Sequence, residues 1–292
     1  MKQRPNRVEQ NASENTAQIN EQHAGGIMNI LVCIKQVPDT TEIKIDPVTN
    51  TLIRSGVPSI VNPYDAYALE AAVRLKEEHG GRVTVLSMGP EQAGAALRTC
   101  LAVGADDAFL LSDRAFSGSD TLATSFILSE AVRYLESKLG TFSLILCGRQ
   151  AIDGDTAQVG PEIAEHLERP QITCAYDLSL EYSGVAAKRE NENGYDRIFC
   201  ELPAVLTVIR ISGEVRLPSV RSRMLANKAV IETISAESLR IDTLRCGLRG
   251  SPTRVKKTFT PVRAKTGVII RGTSAEAAAK KLAVFLYSEK LI

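Results

Sequence analysis

The chain has 292 residues, 44% of them hydrophobic and 24% charged, so it is long enough to build one large folded unit or two smaller ones. Its 35 lysines and arginines almost balance its 34 aspartates and glutamates, and the net charge of +1 argues against nucleic acid as the main partner. No apolar run approaches the roughly 20 residues that a membrane span requires, so the sequence predicts no membrane span.

The cysteines and histidines show neither the pattern of a metal site nor that of a disulfide framework. The six cysteines lack CxxC or zinc spacing and most lie in apolar segments, and the three histidines have no metal-ligand spacing. This usage predicts reduced core thiols, no bound metal and a cytoplasmic location.

Residues 1–27 differ in composition from the rest of the chain. They contain almost no large apolar side chains and are rich in Asn, Gln and Glu, so they cannot bury enough surface to offset the entropy lost on ordering. They also lack the apolar core of a secretory signal. We expect a disordered leader, or an extension ahead of a natural start at Met28.

From Asn29 onward, short apolar segments alternate with amphipathic ones in the manner of a parallel sheet. The predicted strands are Asn29 to Ile34, Arg82 to Ser87, Asp107 to Leu111 and Phe142 to Cys147. The predicted helices are Pro63 to Glu78, Pro90 to Val103, Ser119 to Lys138 and Ala157 to Leu167. For the first helix, Asn62 supplies an N-cap that satisfies an orphan amide, and Pro63 occupies N1. Repeated strand–helix units with right-handed crossovers predict an α/β fold.

Several additions to this sheet are expected. Residues 42–54 read as an inserted hairpin around a turn-rich centre. A small antiparallel unit and a strand returning to the main sheet are predicted at Ala175 to Tyr182, Val185 to Glu190, Arg197 to Glu201 and, for the return, Ala204 to Ile209. Beyond Leu217 the chain reads as basic and irregular, with a last helix from Ser274 to about Glu289. We expect an α/β domain over residues 28–225 and an extended C-terminal arm over residues 226–292.

The segment from Cys147 to Gly160 joins a buried strand to a helix and concentrates three glycines, one arginine and two aspartates. Ligands of open α/β sheets bind at the carboxyl ends of strands, and backbone N–H groups at a helix entrance attract phosphate. Two further loops, residues 32–40 and residues 87–90, reach the same sheet edge. The three loops together predict a nucleotide site, with a well-capped structural loop as the alternative.

The sequence contains no recognisable catalytic constellation. Neither GxGxxG nor GxxxxGK[ST] occurs in these loops, which disfavours a Rossmann hydride site and a P-loop. No Ser/His/Asp, Cys/His or paired-carboxylate pattern is apparent, so a cofactor would have to supply any chemistry. The arginines at 216, 221 and 223 are interpreted as a solvated face, with phosphate or an acidic partner as alternatives.

Five motifs taken together resemble the beta subunit of electron-transfer flavoprotein. They are Val37-Pro38-Asp39-Thr40, Asn62-Pro63-Tyr64-Asp65, Ser87-Met88-Gly89-Pro90, Gly104-Ala105-Asp106 and the stretch from Gly148 to Asp155. The resemblance covers residues 28–292 in order. It implies an adenine nucleotide alpha-hydrolase-like sheet, a heterodimer with an alpha subunit that carries its own FAD, a C-terminal arm that wraps this partner, and either FAD or AMP on the present chain.

Residue by residue, the resemblance assigns cofactor contacts to the three predicted loops. The assigned positions are Cys33, Asn62, Asp65, Met88, Gly148, Arg149, Gln150, Ala151, Ile152, Asp153, Gly154, Asp155, Thr156, Ala157, Gln158 and Val159. Arg149 is further expected near the flavin, where a fixed positive charge would stabilise the reduced form. Pairing of Arg149 with Asp153 or Asp155 is the structural alternative.

The loop Val37, Pro38, Asp39 and Thr40, with residues 43–47 and 250–255, resembles the electron-bifurcating branch of the family. That branch implies FAD on this chain, NADH as hydride donor, and ferredoxin or flavodoxin as one electron acceptor. The second acceptor would be an acyl-CoA or enoyl-CoA type dehydrogenase, reached through the alpha-subunit FAD. A non-bifurcating carrier with a structural AMP remains open at this point.

Leu217 and Pro218 fall where the family presents a leucine to the partner dehydrogenase. An apolar side chain flanked by arginines suits a small anchored contact. A core leucine is the alternative interpretation.

Overall fold

The computed structural model describes residues 28–39, 58–256 and 267–292. The first two ranges lie in one compact unit, and residues 267–292 lie in a second. The predicted leader, the predicted hairpin over residues 42–54 and Thr40 fall outside the described residues.

Strands and helices alternate through most of the first unit. The strands are β1 (Asn29–Ile34), β2 (Gln36–Pro38), β3 (Ser59–Val61), β4 (Arg82–Met88), β5 (Asp107–Leu111), β6 (Leu144–Gly148), β7 (Gln171–Glu181), β8 (Gly184–Asn191), β9 (Gly194–Glu201), β10 (Ala204–Val208) and β11 (Glu232–Ile234). The helices of this unit are α1 (Pro63–His79), α2 (Gly94–Ala102), α3 (Thr121–Leu139), α4 (Val159–His166), α5 (Val220–Lys228), α6 (Ala236–Leu239) and α7 (Gly247–Gly250). Short 3₁₀ turns occur at Glu91–Ala93, Arg114–Phe116 and Thr243–Arg245.

Within the described residues, nine strands form one sheet in the order β11-β5-β4-β1-β6-β10-β7-β8-β9. Pairing is parallel from β11 through β7 and antiparallel along β7, β8 and β9. Strands β2 and β3 form a separate antiparallel pair. The predicted α/β sheet, the small antiparallel unit and the return of β10 to the main sheet are therefore confirmed.

The sheet is covered by helices on both faces. Ile30, Val32 and Ile34 of β1 point into a core shared with α1 and α2, whereas Leu31 and Cys33 point into a core shared with α3 and α4. Burial on both faces explains why the parallel strands read as continuous apolar runs rather than as alternating ones. Because both faces are covered by helices, the loops that follow the parallel strands lie at the edge formed by the carboxyl ends of the strands.

The chain after Leu217 is more ordered than its sequence suggests. Helix α5 follows directly, and β11 pairs in parallel with β5 at the sheet edge, so the first unit continues past residue 225 to residue 256. Only Ile234 of β11 is buried, and three residues are too few to show strand periodicity. The expectation of an irregular chain in this region is therefore wrong. The strand was missed because it is too short to show a periodic pattern.

The second unit contains α8 (Ala275–Ser288), close to the predicted last helix. The Ser274 side chain accepts a hydrogen bond from the Ala277 amide at 3.2 Å, which caps the helix start. Across the described parts of the chain, no helix combines the length and the apolar character that crossing a membrane demands.

Candidate functional site

Strand β1 marks the switch point of the parallel sheet. The chain places β4 on one side of β1 and β6 on the other, so the loops after β1 and β6 leave in diverging directions. Such a divergence opens a crevice at the carboxyl ends of the strands, where α/β proteins bind ligands. The predicted loops after β1, β4 and β6 all lie at this edge.

Asp65, in the first turn of α1, connects two of these loops. Its Oδ2 accepts the backbone N–H of Lys35 at 2.7 Å, and its Oδ1 accepts that of Gly148 at 3.2 Å. The same Oδ1 accepts a third bond from Asn62 Nδ2 at 3.0 Å. Only 6% of Asp65 is exposed, so this carboxyl group fixes the exits of β1 and β6 from within the protein.

The environment of Asp65 acts on the pKa of its carboxyl group in two opposing ways. Burial raises the pKa of Asp65 to about 7, while hydrogen bonds from Asn62, Lys35 and Gly148 and the positive charge of Lys35 oppose the rise. The carboxyl group therefore titrates near neutral pH at the junction of the two loops.

Asn62 was predicted to cap α1, but its side chain makes no capping hydrogen bond. Its Nδ2 instead donates to the carbonyl of Gln150 at 2.8 Å, and its Oδ1 accepts the amide of Ile152 at 3.1 Å. Asn62 is fully buried, and the 150–152 backbone has no strand partner of its own, so the amide side chain satisfies that backbone instead. The predicted capping role of Asn62 is therefore wrong.

Gly148 and Gly160 permit close approach within the protein itself. A Cβ at Gly148 would lie 2.3 Å from Asp65 Oδ1 and 2.6 Å from Asp65 N. A Cβ at Gly160 would lie 2.5 Å from Thr207 Cγ2. Gly154 is different, because a Cβ there would meet no atom within 4 Å. Only the first two glycines are required by the packing.

Arg149 is exposed on the loop after β6, and its backbone N–H donates to the carbonyl of Val208 on β10 at 2.9 Å. Asp153 pairs with Lys35, with Nζ and Oδ1 2.7 Å apart. Asp155 accepts a hydrogen bond from Gln150 Nε2 at 2.6 Å. Neither aspartate binds Arg149, so the alternative interpretation of Arg149 as their ion-pair partner is wrong. Its guanidinium has no ion-pair partner among the described residues.

The far end of this loop resembles an anion cradle. Asp155 and Ala157 adopt left-handed backbone angles, with φ of 52° and 54°, just before α4 begins at Val159. Gln158 precedes the helix without a side-chain capping bond, and Thr156 is exposed. Pro161 has no N–H group, and among the described residues no side chain accepts a hydrogen bond from the N–H groups of Val159 and Gly160. Unsatisfied donors at a helix start fit a phosphate or diphosphate.

Cys33 and Met88 lie at the same edge, at the ends of β1 and β4. Cys33 is paired in register with Cys147 on β6, and both are buried, free thiols. A hydrogen bond with Cys33 and burial raise the pKa of Cys147, so this thiol stays neutral. Cys147 is therefore a packed core thiol rather than a nucleophile.

The described part of the predicted NADH-proximal loop lies on β2 and just after it. Val37 is buried, Pro38 is half-buried and Asp39 is exposed. The Asp39 amide donates to the Pro58 carbonyl at 2.7 Å, which closes the small β2–β3 ribbon. Val37 therefore supports this ribbon from inside, and Asp39 is the exposed residue among the three members of the loop that the structure describes.

The comparisons with known proteins agree with this architecture. The family model of the electron transfer flavoprotein domain matches residues 49–239. The chain is 50% identical over 247 residues to the electron transfer flavoprotein subunit beta of Megasphaera elsdenii, covering 84% of this chain and 92% of that protein. This chain belongs to the electron transfer flavoprotein family, among its beta subunits.

Two further relatives of this beta subunit carry more specific names. Caffeyl-CoA reductase-Etf complex subunit CarD of Acetobacterium woodii is 46% identical over 266 residues, covering 91% of this chain and all (100%) of that protein. Protein FixA of Bradyrhizobium diazoefficiens is 42% identical over 269 residues, covering 90% of this chain and 93% of that protein.

Leu217 of this beta subunit is not a core residue. Its side chain is 90% exposed, so the alternative interpretation of a buried leucine is wrong. Pro218 beside it is half-buried. No described contact joins Leu217 to the loops around Asp65, so the structure leaves the two predicted sites apart.

Two sets of ion pairs were not predicted from the sequence. Lys35 ties the loop after β1 to that after β6 through Asp153, and no motif signals this pairing. Arg216, interpreted from sequence as part of a solvated face, instead binds Glu70 and Glu77 of α1. The i,i+4 spacing of Glu70 and Arg74 in an otherwise apolar helix face was the available signal. The described residues hold no cluster of three or more metal-ligating side chains.

Proposed function

We propose that this beta subunit pairs with an electron-transfer flavoprotein alpha subunit and binds FAD at the carboxyl edge of β1, β4 and β6. NADH would be the hydride donor. One electron would go to ferredoxin or flavodoxin, and the other, through the alpha-subunit FAD, to an acyl-CoA or enoyl-CoA type dehydrogenase. The chemistry supplied by bound FAD is acceptance of a hydride and release of its two electrons one at a time.

The observation that carries this proposal is the environment of Arg149. Arg149 is exposed on the loop after β6, and both aspartates of this loop are engaged elsewhere, with Lys35 and with Gln150. A fixed positive charge at this edge would stabilise negative charge on a reduced flavin. The full-length similarity to a subunit of a caffeyl-CoA reductase-Etf complex supports a CoA-thioester enzyme as the partner class.

The remaining loop residues suit the other parts of the nucleotide. The uncapped start of α4, with Thr156 and Gln158 exposed before it, would hold the diphosphate through backbone N–H groups. Asp155 is exposed and would accept hydrogen bonds from ribose hydroxyls. Asn62 and Asp65 would keep both loops in place without touching the reacting atoms.

Counting bound nucleotides in the purified heterodimer tests the proposal. Two FAD per heterodimer is the expected result. One FAD with one AMP would support instead a simple electron carrier, in which this chain binds AMP for structural reasons. Bound ATP would support a nucleotide-hydrolysing module of the same general fold.

Arg149→Ala tests the role of the guanidinium directly. We expect the two-electron potential of the beta-site flavin to become more negative and NADH oxidation to slow by about tenfold or more, because one fixed charge is lost. Arg189→Ala, which removes an exposed arginine from β8, is the matched control. Unchanged potentials and an unchanged NADH oxidation rate would remove Arg149 from the mechanism.

Leu217→Ala tests partner docking separately. The KM for the partner dehydrogenase is expected to rise while NADH oxidation by the flavin stays at the wild-type rate. Val230→Ala, which truncates another apolar side chain that is 95% exposed, serves as the control. Loss of FAD from Leu217→Ala would mean that the leucine is structural.

A further inference from the structure

The segment that leads to Leu217 has no regular secondary structure, yet it is closely held. Residues 210–216 run from the end of β10 to Leu217 across the surface of the first unit. Irregular surface segments with few buried contacts are ordinarily the mobile parts of a protein. Here Arg210, Ser212, Glu214 and Arg216 each have partners on a helix or strand, and these are described in turn.

Arg74 of α1 holds the middle of the segment by its backbone. Its Nη1 donates to the carbonyl of Ser212 at 2.6 Å, and its Nη2 donates to the carbonyl of Glu214 at 3.0 Å. The third nitrogen, Nε, donates to Glu70 Oε1 at 2.7 Å, which orients the guanidinium. One planar side chain therefore fixes two peptide groups of the segment.

Glu70 and Glu77 of α1 hold the end of the segment through Arg216. Glu70 Oε2 accepts the Arg216 backbone N–H at 3.1 Å and its Nε at 2.9 Å. Arg216 Nη2 also binds Glu77 Oε2 at 2.9 Å. Burial disfavours the charged form of Glu70, but hydrogen bonds from Arg216 and Arg74 outweigh it and lower the pKa of Glu70. The Glu70 carboxylate is thus ionised near neutral pH. We refer to Glu70, Arg74, Glu77 and Arg216 together as the clamp.

The antiparallel strands hold the start of the segment. Ser212 Oγ donates to Asp177 Oδ1 on β7 at 2.5 Å. The guanidinium carbon of Arg210 lies 4.1 Å from the ring centre of Tyr176 on β7, and its Nη2 lies 3.2 Å from Glu190 on β8. The segment is therefore fastened to α1 and to the antiparallel strands together.

This fastening stops abruptly at Arg216. The next residue, Leu217, is 90% exposed, and the side chain of Arg221 beyond it has no ion-pair partner among the described residues. A rigid stem that ends in an exposed apolar side chain is the arrangement expected of a pre-organised docking contact, because little entropy is lost on binding.

We infer that Glu70, Arg74, Glu77 and Arg216 are positioning residues that hold Leu217 ready for an apolar pocket on the partner dehydrogenase. This inference rests on the docking role proposed above for Leu217. The four residues act through the segment and contact neither cofactor nor substrate.

The test uses the full-length heterodimer and two variants that loosen the clamp. Arg216→Gln removes the ion pairs, and Arg74→Lys keeps a positive charge beside Glu70 but cannot reach both carbonyl groups. Arg221→Gln is the matched control just beyond Leu217. The readouts are backbone hydrogen exchange, and the KM and kcat of a purified acyl-CoA dehydrogenase that accepts electrons from the wild-type heterodimer.

In both clamp variants we expect hydrogen exchange over residues 212–217 to rise by about tenfold or more, with exchange over residues 144–160 unchanged. The KM for the dehydrogenase should rise while kcat and NADH oxidation stay at wild-type values, and Arg221→Gln should change the exchange of neither region. If Arg216→Gln fails to fold because Glu70 loses its main partner, Arg74→Lys decides the question.

The outcomes separate this inference from the function on which it rests. If Leu217→Ala leaves the KM unchanged, the docking role itself is wrong, and with it the purpose inferred for the clamp. If Leu217→Ala raises the KM but the clamp variants change neither exchange nor KM, the docking role stands and the clamp inference is wrong. Faster exchange with an unchanged KM would likewise overturn it.

Discussion

The two ends of helix α1 each hold a loop in place, but they do so by different physical means. At the start of the helix, Asn62 and Asp65 are buried and bind mainly backbone groups of the loops after β1 and β6. Further along, Glu70, Arg74 and Glu77 hold the 210–216 segment largely through ion pairs and charged hydrogen bonds, with Glu70 buried and the side chains of Arg74 and Glu77 exposed.

This difference predicts how each end responds to substitution and to solvent. A buried hydrogen-bonded group that loses its partner costs the full desolvation free energy of the orphaned atom. An ion pair near the surface is screened by water and salt, and its partners can be resolvated when it breaks. The loops around Asp65 should therefore be sensitive to shape and protonation, and the exposed contact between Glu77 and Arg216 should be sensitive to ionic strength.

The largest expected effect is that of Gly148→Ala. The added Cβ would lie 2.3 Å from Asp65 Oδ1 and 2.6 Å from the Asp65 backbone nitrogen, so α1 and the loop after β6 would have to separate. We expect a loss of about 3 kcal/mol in the free energy of unfolding, measured in urea, and loss of bound nucleotide.

Gly154→Ala is the matched control for that substitution, because its Cβ would meet no atom within 4 Å. It should leave the free energy of unfolding within about 0.5 kcal/mol of the wild type. Equal effects at Gly148 and Gly154 would mean that the contact with Asp65 does not govern the loop.

A smaller effect is expected for Asp65→Asn. Both carboxyl oxygens accept N–H groups, so an amide nitrogen in place of either would face a donor. The expected cost is about 1–3 kcal/mol in the free energy of unfolding. Asp155→Asn, at an exposed position of the same site, should cost much less.

The same variant tests the pH dependence of the buried end. Burial raises the pKa of Asp65 from 3.8 to about 7, so the folded state favours the protonated acid and the unfolded state ionises first. Asp65 therefore makes its full contribution to stability below pH 3.8, the pKa of the unfolded state. That contribution is lost as the pH rises through about 7, the pKa of the folded state. The stability difference between wild type and Asp65→Asn should shrink over that range. A constant difference would contradict the shifted pKa.

The smallest effect belongs to the surface end. Glu77 is 57% exposed, so Glu77→Gln should lower the free energy of unfolding by less than about 1 kcal/mol. Hydrogen exchange over residues 212–217 should rise modestly at low salt, and the difference from wild type should disappear at about 1 M salt, where charges are screened within about 3 Å. A salt-independent difference would indicate that Glu77 acts by packing.

The sequence predicted the parallel strands well because burial on both faces makes them continuous apolar runs. It also predicted that the loops after β1, β4 and β6 lie at one edge, since the carboxyl ends of parallel strands share an edge of the sheet. The role of Asn62 was missed because its partners, the backbone groups of Gln150 and Ile152, lie far away in sequence. The clamp around Arg216 was missed for the same reason, because its partners on α1 are distant in sequence. Strand β11 was missed because three residues are too few to show the periodicity of a strand.

Strand β10 has a consequence for the order in which this protein is completed. It inserts between β6 and β7, and its Val208 carbonyl accepts a hydrogen bond from the backbone N–H of Arg149. Strand β10 follows β7, β8 and β9 in the chain. When the loop after β6 has been synthesised, the Arg149 amide therefore has no partner until these three strands and β10 have been synthesised as well. The carboxyl edge proposed to bind the cofactor is therefore completed late in translation, although most of its residues are encoded early.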